Sequence, residues 1–292
     1  MPRRLALADH EPERVPCVKR LLLLTLTALL LTGCHAAPAE TARILFIDVG
    51  KGDAALVTAD GKHYLVDAGP SDAWDRVESA LRHYGVAKLE GVFWTHSDKD
   101  HAGGLMPLAK SEVEVSTWYA SALYRLDDGK THPAAEAAAA RGQQIVYLSA
   151  GDSAGPFAVL GPVVRSKDED DNSLVLMLET SQGRALLTGD MKLDGEEALI
   201  QSGRSLKCDV LKLGHHGNSD ATSDLLIERT SPRLAVVSTD SDERPELPDQ
   251  RVVKLLEDRG IPLYSTWKSG GGVLVTLDGE PRAERVSWNT AP

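Results

Sequence analysis

Thr95-His96-Ser97-Asp98-Lys99-Asp100-His101-Ala102-Gly103-Gly104 is the stretch on which the fold turns. Four side chains of metal-ligating type, His96, Asp98, Asp100 and His101, stand within six residues of one another. They directly follow an apolar run at residues 91–95 that reads as a buried strand. A single loop can turn all four toward one point. Imidazole with carboxylate suits zinc, and a carboxylate-rich set also admits manganese or iron. Asp100 is placed to cap a following helix, and Gly103-Gly104 let backbone approach the loop closely.

Two more distant pieces share this chemistry. Leu187-Thr188-Gly189-Asp190 puts an aspartate at the end of an apolar strand, and Leu211-Lys212-Leu213-Gly214-His215-His216-Gly217 puts paired histidines at the end of another. A strand-end aspartate taken alone is usually a turn residue. With the first loop, the two pieces allow a carboxylate and an imidazole to converge from across a sheet.

Outward from these motifs, strands are predicted at residues 43–49, 54–58, 63–66, 91–95, 144–148, 157–160, 173–179, 184–188, 209–213, 234–238, 262–266 and 272–277. Helices are predicted at 72–84, 133–141, 193–201, 224–229 and 249–259; in the first, Trp74, Val77, Leu81 and Tyr84 recur at helical intervals. Asp60-Gly61 marks a hairpin. Strands that first meander and then alternate with helices imply an α/β (α+β) chain of mixed sheets covered by helices. No linker breaks residues 42–290, so residues 42–292 are read as one domain.

Together these stretches resemble the metallo-β-lactamase superfamily, in its ComEC-type branch. The resemblance is carried by Phe46-Ile47-Asp48-Val49-Gly50-Lys51-Gly52-Asp53, Leu65-Val66-Asp67-Ala68-Gly69, the His96–Gly104 loop, Asp171-Asn172-Ser173, Thr188-Gly189-Asp190 and Gly214-His215-His216-Gly217. It implies a four-layered αββα sandwich of two mixed β-sheets, with two divalent metal ions at one edge. Zinc is the first expectation, with Mn2+ or Fe2+ as alternatives. The resemblance makes His96, Asp98, Asp100, His101, Asp190, His215 and His216 the metal-site candidates, with Asp190 bridging and at least one of the paired histidines a ligand. Asp98, Asp100 and Asp190 are also the expected catalytic carboxylates. It places Asp67 behind the ligand loop as an orienting group, and has Asp48 and Asp53 shape the adjoining turn.

Departures from the family pattern matter. Asp98 stands where histidine is common, which hardens the site and relaxes the preference for zinc. Lys51 stands where glutamine is usual; solvent exposure is expected for it, with a substrate contact as the alternative. Asp242-Glu243-Arg244-Pro245-Glu246-Leu247-Pro248 lacks the histidine that the branch often carries there. Cys208 is read as a packed strand residue, and His35, His63, His83 and His132 as bystanders.

The amino terminus is different in kind. Lys19 and Arg20 precede an apolar run at residues 21–31, which meets Thr32-Gly33-Cys34. The run is shorter than the ~20 apolar residues of a spanning helix and reads as an export signal over residues 1–33. Leu31-Thr32-Gly33-Cys34 resembles a bacterial lipobox, which implies lipidation of Cys34 and anchoring to a membrane, with residues 34–41 as a short linker. Of the three cysteines, Cys17 would be removed and Cys34 capped, leaving Cys208 without an intrachain partner. Net charge is −11, and subtracting the +2 of residues 1–33 leaves −13. That balance disfavours an extended nucleic-acid partner.

The reading that follows is an exported, lipid-anchored, metal-dependent hydrolase acting on phosphodiesters or another small-molecule substrate. Two cations about 3.5–4 Å apart would share a hydroxide as nucleophile, and Asn218 and Ser219 could donate hydrogen bonds to phosphate. Three rivals remain: a DNA nuclease tied to uptake, a β-lactamase or lactonase, and a non-catalytic binding lipoprotein of the same fold.

Overall fold

A computed structural model describes residues 41–126 and 131–288. The expected export signal over residues 1–33, Cys34 and nearly all of the expected linker lie outside the described residues. Among the described residues, no helix is long and apolar enough to cross a membrane.

The strands form two large sheets, both mixed. In spatial order the first runs Arg282–Ser287, Gly271–Leu277, Ala42–Ile47, Ala55–Ala59, Lys62–Val66, Gly91–Trp94, Trp118–Ser121 and Ile145–Leu148. Pairing is antiparallel up to Lys62–Val66 and parallel beyond it. The second runs Leu263–Ser265, Leu234–Val237, Val210–Lys212, Gly183–Leu187, Val175–Thr180, Phe157–Gly161 and Ser153–Ala154. Its first four strands are parallel and the rest antiparallel.

The apolar runs explain why two sheets stack with helices outside. Strand side chains alternate between faces, so a strand buried on both sides must be apolar at every position. In Ala42–Ile47, Ile44 and Phe46 face the inter-sheet core with Phe93, Phe157, Leu176 and Val236. Leu45 and Ile47 face the opposite way, joining Val77, Leu81, Trp94 and Leu105 beneath the first helical layer. A third cluster, with Met177, Leu186, Leu211, Leu226 and Leu256, packs helices onto the outer face of the second sheet. The result is the four-layered αββα sandwich. Val77, Leu81, Val252 and Leu256 are all almost fully buried, so helices Trp74–His83 and Gln250–Asp258 are held by one apolar face each.

Five strands went unforeseen: the two-residue Lys88–Leu89, Glu114–Val115 and Ser153–Ala154, and the longer Trp118–Ser121 and Arg282–Ser287. Trp118–Ser121 follows a polar stretch and spans four residues. Arg282–Ser287 is an edge strand in which no residue is fully buried, so it carries no apolar signal. The helix expected after Asp100 is instead two short ones, Lys99–Ala102 and Leu105–Lys110.

The parallel halves of both sheets end at the same place. Asp67 follows Lys62–Val66, His96 follows Gly91–Trp94, Asp190 follows Gly183–Leu187, and His216 follows Val210–Lys212. The carboxyl ends of parallel strands are where open α/β sheets present ligand groups.

Candidate metal centre

Asp67 is the organiser of the first loop. It has a left-handed φ of 57° and is almost wholly buried. Its Oδ1 accepts the Thr95 backbone N–H at 2.9 Å, and its Oδ2 accepts the Thr95 hydroxyl at 2.7 Å. The same Oδ2 lies 2.8 Å from His101 Nδ1. Because the Thr95 hydroxyl donates to Asp67, its lone pair accepts from His96 Nδ1 at 3.1 Å. Both imidazoles are therefore held at Nδ1 and present Nε2 as a free lone pair, the arrangement by which a supporting carboxylate orients a metal-binding histidine.

The loop then turns into the helix Lys99–Ala102, whose N-cap is Asp98 and not Asp100. Asp98 makes no side-chain cap hydrogen bond. Asp100 sits one position inside the helix, where its carboxylate faces the histidines instead of the backbone. The expected cap is corrected on this point. Gly104 is needed for packing: a Cβ there would lie 2.1 Å from the Ala68 carbonyl oxygen.

From the second sheet, Gly189 at φ +55° swings Asp190 back toward the loop, and the Asp190 N–H donates to Ser173 Oγ at 3.1 Å. His215 and His216 both have left-handed backbone, φ 44° and 55°. Such strain in non-glycine residues concentrates at functional sites. It aims the two rings apart. His216 Nδ1 donates to the Ser238 carbonyl at 3.0 Å, which leaves Nε2 3.2 Å from Asp100 Oδ2 and 3.1 Å from Asp190 Oδ2. His215 turns to Asp220, with Nδ1 2.7 Å from Oδ1, and lies outside the ligand clusters.

Among the described residues three groups of ligand atoms have members within 4.8 Å of one another: Asp100, His101, Asp190 and His216; His96, Asp98 and Asp170; and Asp53, Asp67 and His101. The third meets His101 at Nδ1, which Asp67 already holds. Asp190 of the first group also faces His96 of the second. Its Oδ1 is 3.2 Å from His101 Nε2, and its Oδ2 is 4.0 Å from His96 Nε2. His96 Nε2, His101 Nε2, His216 Nε2 and Asp190 Oδ1 are buried without a hydrogen-bond partner of sound geometry. Buried polar atoms left so are costly, and four facing one another fit bound cations. The electrostatics follow from these contacts. Burial alone would raise the Asp190 carboxyl, yet His101 and His216 hold it well below the usual range. Burial would likewise lower His101, but Asp190 and Asp67 raise it well above the ordinary value.

The other residues singled out in the sequence fall as follows. Asp53 is buried beside the ligands, 3.9 Å from His101 Nδ1, and paired with Lys212 at 2.6 Å. Asp48 stays at its turn: it meets Gly50 N–H at 3.4 Å, the Ser269 hydroxyl at 3.3 Å and Arg76 at 3.7 Å, with no ligand among its partners. It shapes that turn, as expected, and does not touch a ligand side chain. Lys51 was expected in solvent; it is half-buried and bridges to Asp100. Asn218 Oδ1 accepts the Ser219 N–H at 2.7 Å, a turn contact. Cys208 is a buried free thiol, pushed up to about 12 by burial.

Two groups escaped sequence reasoning. Asp170 lies beside the recognised Asp171-Asn172-Ser173, but its neighbours are scaffold. Asp171 Oδ1 accepts the Lys192 and Gly195 N–H groups at 3.0 and 2.9 Å, and Asn172 bonds the Ser166 backbone. Asp170 itself reaches His96. Lys212, flanked by Leu211 and Leu213 on a doubly covered strand, was a visible signal of a buried cation seeking a carboxylate.

The centre opens onto a groove of about 410 Å³ lined by Lys51, Pro70, Arg76, Lys99, Asp100 and Asp240 among others.

Residues 47–241 match the family model described as the metallo-beta-lactamase superfamily. The chain is 28% identical over 251 residues to ComE operon protein 3 of Bacillus subtilis, covering 77% of this chain and 32% of that protein. It is 28% identical over 254 residues to Competence protein ComA of Neisseria gonorrhoeae, covering 86% and 35%. It therefore spans about a third of the length of these relatives. Among solved structures, the metallo-beta-lactamase fold protein YhfI from Bacillus subtilis is similar with a TM-score of 0.52 at 15% identity, covering 82% of this chain and 99% of that one. Tm1679, a metal-dependent hydrolase of the beta-lactamase superfamily, gives a TM-score of 0.52 at 16% identity, covering 80% and 98%.

Proposed function

Because the chain belongs to the metallo-β-lactamase superfamily, in its ComEC-type branch, and has the fold of a metal-dependent hydrolase, we propose that it hydrolyses phosphodiesters while anchored to a bacterial membrane through Cys34. The observation that carries the reading is the set of buried, unpartnered Nε2 and carboxylate atoms converging from both sheets. Two divalent cations, when bound, supply an activated water and positive charge for oxygens that become anionic during hydrolysis.

The chain's own residues prepare that chemistry. His96, His101 and His216 each offer Nε2 with Nδ1 already committed to an acceptor, so little reorganisation is left at binding. Asp190 turns Oδ1 to His101 and Oδ2 to both His216 and His96, and would bridge. Asp98, Asp100, Asp170 and Asp190 together balance two divalent cations, while Lys51 pairs with Asp100 and Lys192 with Asp168 and Asp170. A site so balanced can accept an anionic phosphodiester. The groove carries both signs, Lys51, Arg76 and Lys99 beside Asp72, Asp100, Asp240 and Glu243. Support for the anchor is Lys19-Arg20, the apolar residues 21–31 and Thr32-Gly33-Cys34.

Bis-p-nitrophenyl phosphate hydrolysis is expected in the membrane fraction, abolished by chelation and restored by added metal. With Cys34→Ser it moves to the soluble fraction. A fully metal-loaded protein that cleaves nitrocefin or a lactone but no phosphodiester would overturn the substrate assignment, and a Cys34→Ser variant still bound to membranes would overturn the anchor.

A second reading is favoured by the relatives, one of which carries competence in its name: cleavage of DNA. The net charge of −11 and the histidine-free Asp242–Pro248 segment weigh against it. Plasmid nicking at metal saturation decides between the two.

A further inference from the structure

The two ligand groups flanking Asp190 differ in kind. On one side stand two imidazoles and two carboxylates, from His101, His216, Asp100 and Asp190. On the other stands one imidazole, His96, with the carboxylates of Asp98 and Asp170; Asp190 Oδ2, 3.1 Å from His216 Nε2, is 4.0 Å from His96 Nε2. His96 is wholly buried and its Nε2 has no hydrogen-bond partner, so this second group is aimed at something the protein itself does not supply.

Asp170 makes the difference. Its Oδ1 lies 3.6 Å from His96 Nε2, while its Oδ2 lies 2.5 Å from Lys192 Nζ. Lys192 is held in turn by Asp168 at 3.0 Å. One oxygen is tied to a cation and the other is turned toward the imidazole. A carboxylate fixed in this way presents a single, oriented ligand atom. Its backbone is equally fixed, because Asp171 beside it caps the helix Leu193–Gln201 through the Lys192 and Gly195 N–H groups.

We propose that Asp170 is a ligand of the His96-side cation, that Lys192 is its positioning residue, and that the extra carboxylate makes this position relatively selective for Mn2+, so that the two positions of one centre load with different metals. Carboxylate-rich sets suit magnesium- and manganese-like cations, whereas imidazole-rich sets suit zinc. Zinc fills the His101/His216 side first. The ratio of Zn2+ to Mn2+ affinity is smaller on the His96 side, and manganese in excess takes that position. The inference rests on reading the cluster as a two-cation centre, but not on its substrate.

The test uses metal-stripped full-length protein, loaded with one equivalent of Zn2+ and then titrated with Mn2+. Binding is followed by the Mn2+ electron paramagnetic resonance signal, and metal content by elemental analysis. One Mn2+ is expected to bind without displacing zinc, and crystals carrying both metals should show manganese anomalous scattering beside His96 and Asp170. Asp170→Asn should weaken Mn2+ binding by about 10–100-fold, the usual effect of losing a supporting ligand group, while the first Zn2+ equivalent is unchanged. Asp170→His should restore a preference for zinc at that position, and Lys192→Met should weaken Mn2+ binding with the first zinc unaffected. Two zinc ions taken up with equal affinity, or Mn2+ affinity unchanged in Asp170→Asn, would overturn the proposal. None of these readouts depends on turnover, so a failed phosphodiesterase assay would leave the metal assignment standing, and a failed metal partition would leave the hydrolase reading standing.

Discussion

The two sheets build their shares of the metal centre by opposite means. The first contributes His96, Asp98, Asp100 and His101 from six consecutive residues, and orients its histidines with side chains, Asp67 and Thr95. The second contributes Asp170, Asp190 and His216 from three separate connections between its strands. It orients His216 with a backbone carbonyl, that of Ser238. The local share depends on a few replaceable groups. The distributed share depends on the sheet itself, since a carbonyl at a strand end persists whatever its side chain. A centre of this kind should break easily from one side and resist from the other.

The largest effect is expected where the two shares are joined. Lys212, from the second sheet, reaches Asp53, which follows the first strand, at 2.6 Å, and also donates to the Leu213 carbonyl at 2.8 Å. Both side chains are buried. Lys212→Met leaves the Asp53 carboxylate without its cation, and breaking a buried pair in this way costs about 3–5 kcal/mol. Urea denaturation should show that loss, and the double variant Asp53→Asn/Lys212→Met should recover part of it. A single variant as stable as the parent would mean that the halves are held by apolar packing alone.

This contrast also explains how much could be read before the fold was known. The local share was legible because a buried strand and four ligand-type residues are contiguous. The strands were legible because double burial forces unbroken apolar runs such as Ile44–Ile47 and Val175–Leu178. Asp190 and His216 were found through motif resemblance, since nothing local separates a strand-end aspartate from a turn residue. Asp170 was missed for that reason: it sits in an acidic turn, Glu169-Asp170-Asp171, where any one of three could be scaffold. Lys51 was misplaced in solvent because its partner, Asp100, is 49 positions away. His215 and His216 are adjacent in sequence and only the left-handed backbone separates their directions.

A second, smaller effect sharpens the comparison of orienting groups. Asp67→Ala removes the acceptor of the Thr95 N–H, the Thr95 hydroxyl and His101 Nδ1 together. Metal affinity should fall about 10–100-fold, as for other supporting ligands. Ser238→Ala, which leaves the carbonyl that accepts from His216, should bind metal as the parent does. Isothermal titration with Zn2+ measures both. Equal losses in the two variants would remove the distinction between side-chain and backbone support.

The smallest expected effect concerns the second sheet's own buried carboxylate. Glu196 accepts the Thr222 and Ser223 N–H groups, the latter at 2.9 Å. It thereby ties the helix that follows Asp190 to the segment that follows His216. Burial dominates and raises its carboxyl above the ordinary 4.5, although those hydrogen bonds and Arg251 oppose the rise. A carboxyl that holds its proton more tightly when folded stabilises the fold below its unfolded pKa, and that contribution is lost as pH rises through the folded value. Glu196→Gln cannot titrate, so it differs from the parent by a constant offset plus this term. Denaturation midpoints of the two proteins should therefore shift in favour of Glu196→Gln as pH rises from below 4.5 toward neutrality. A difference that stays flat, or moves the other way, would mean that the paired N–H groups outweigh burial. The second sheet would then carry a charged brace comparable to the one Asp67 supplies to the first.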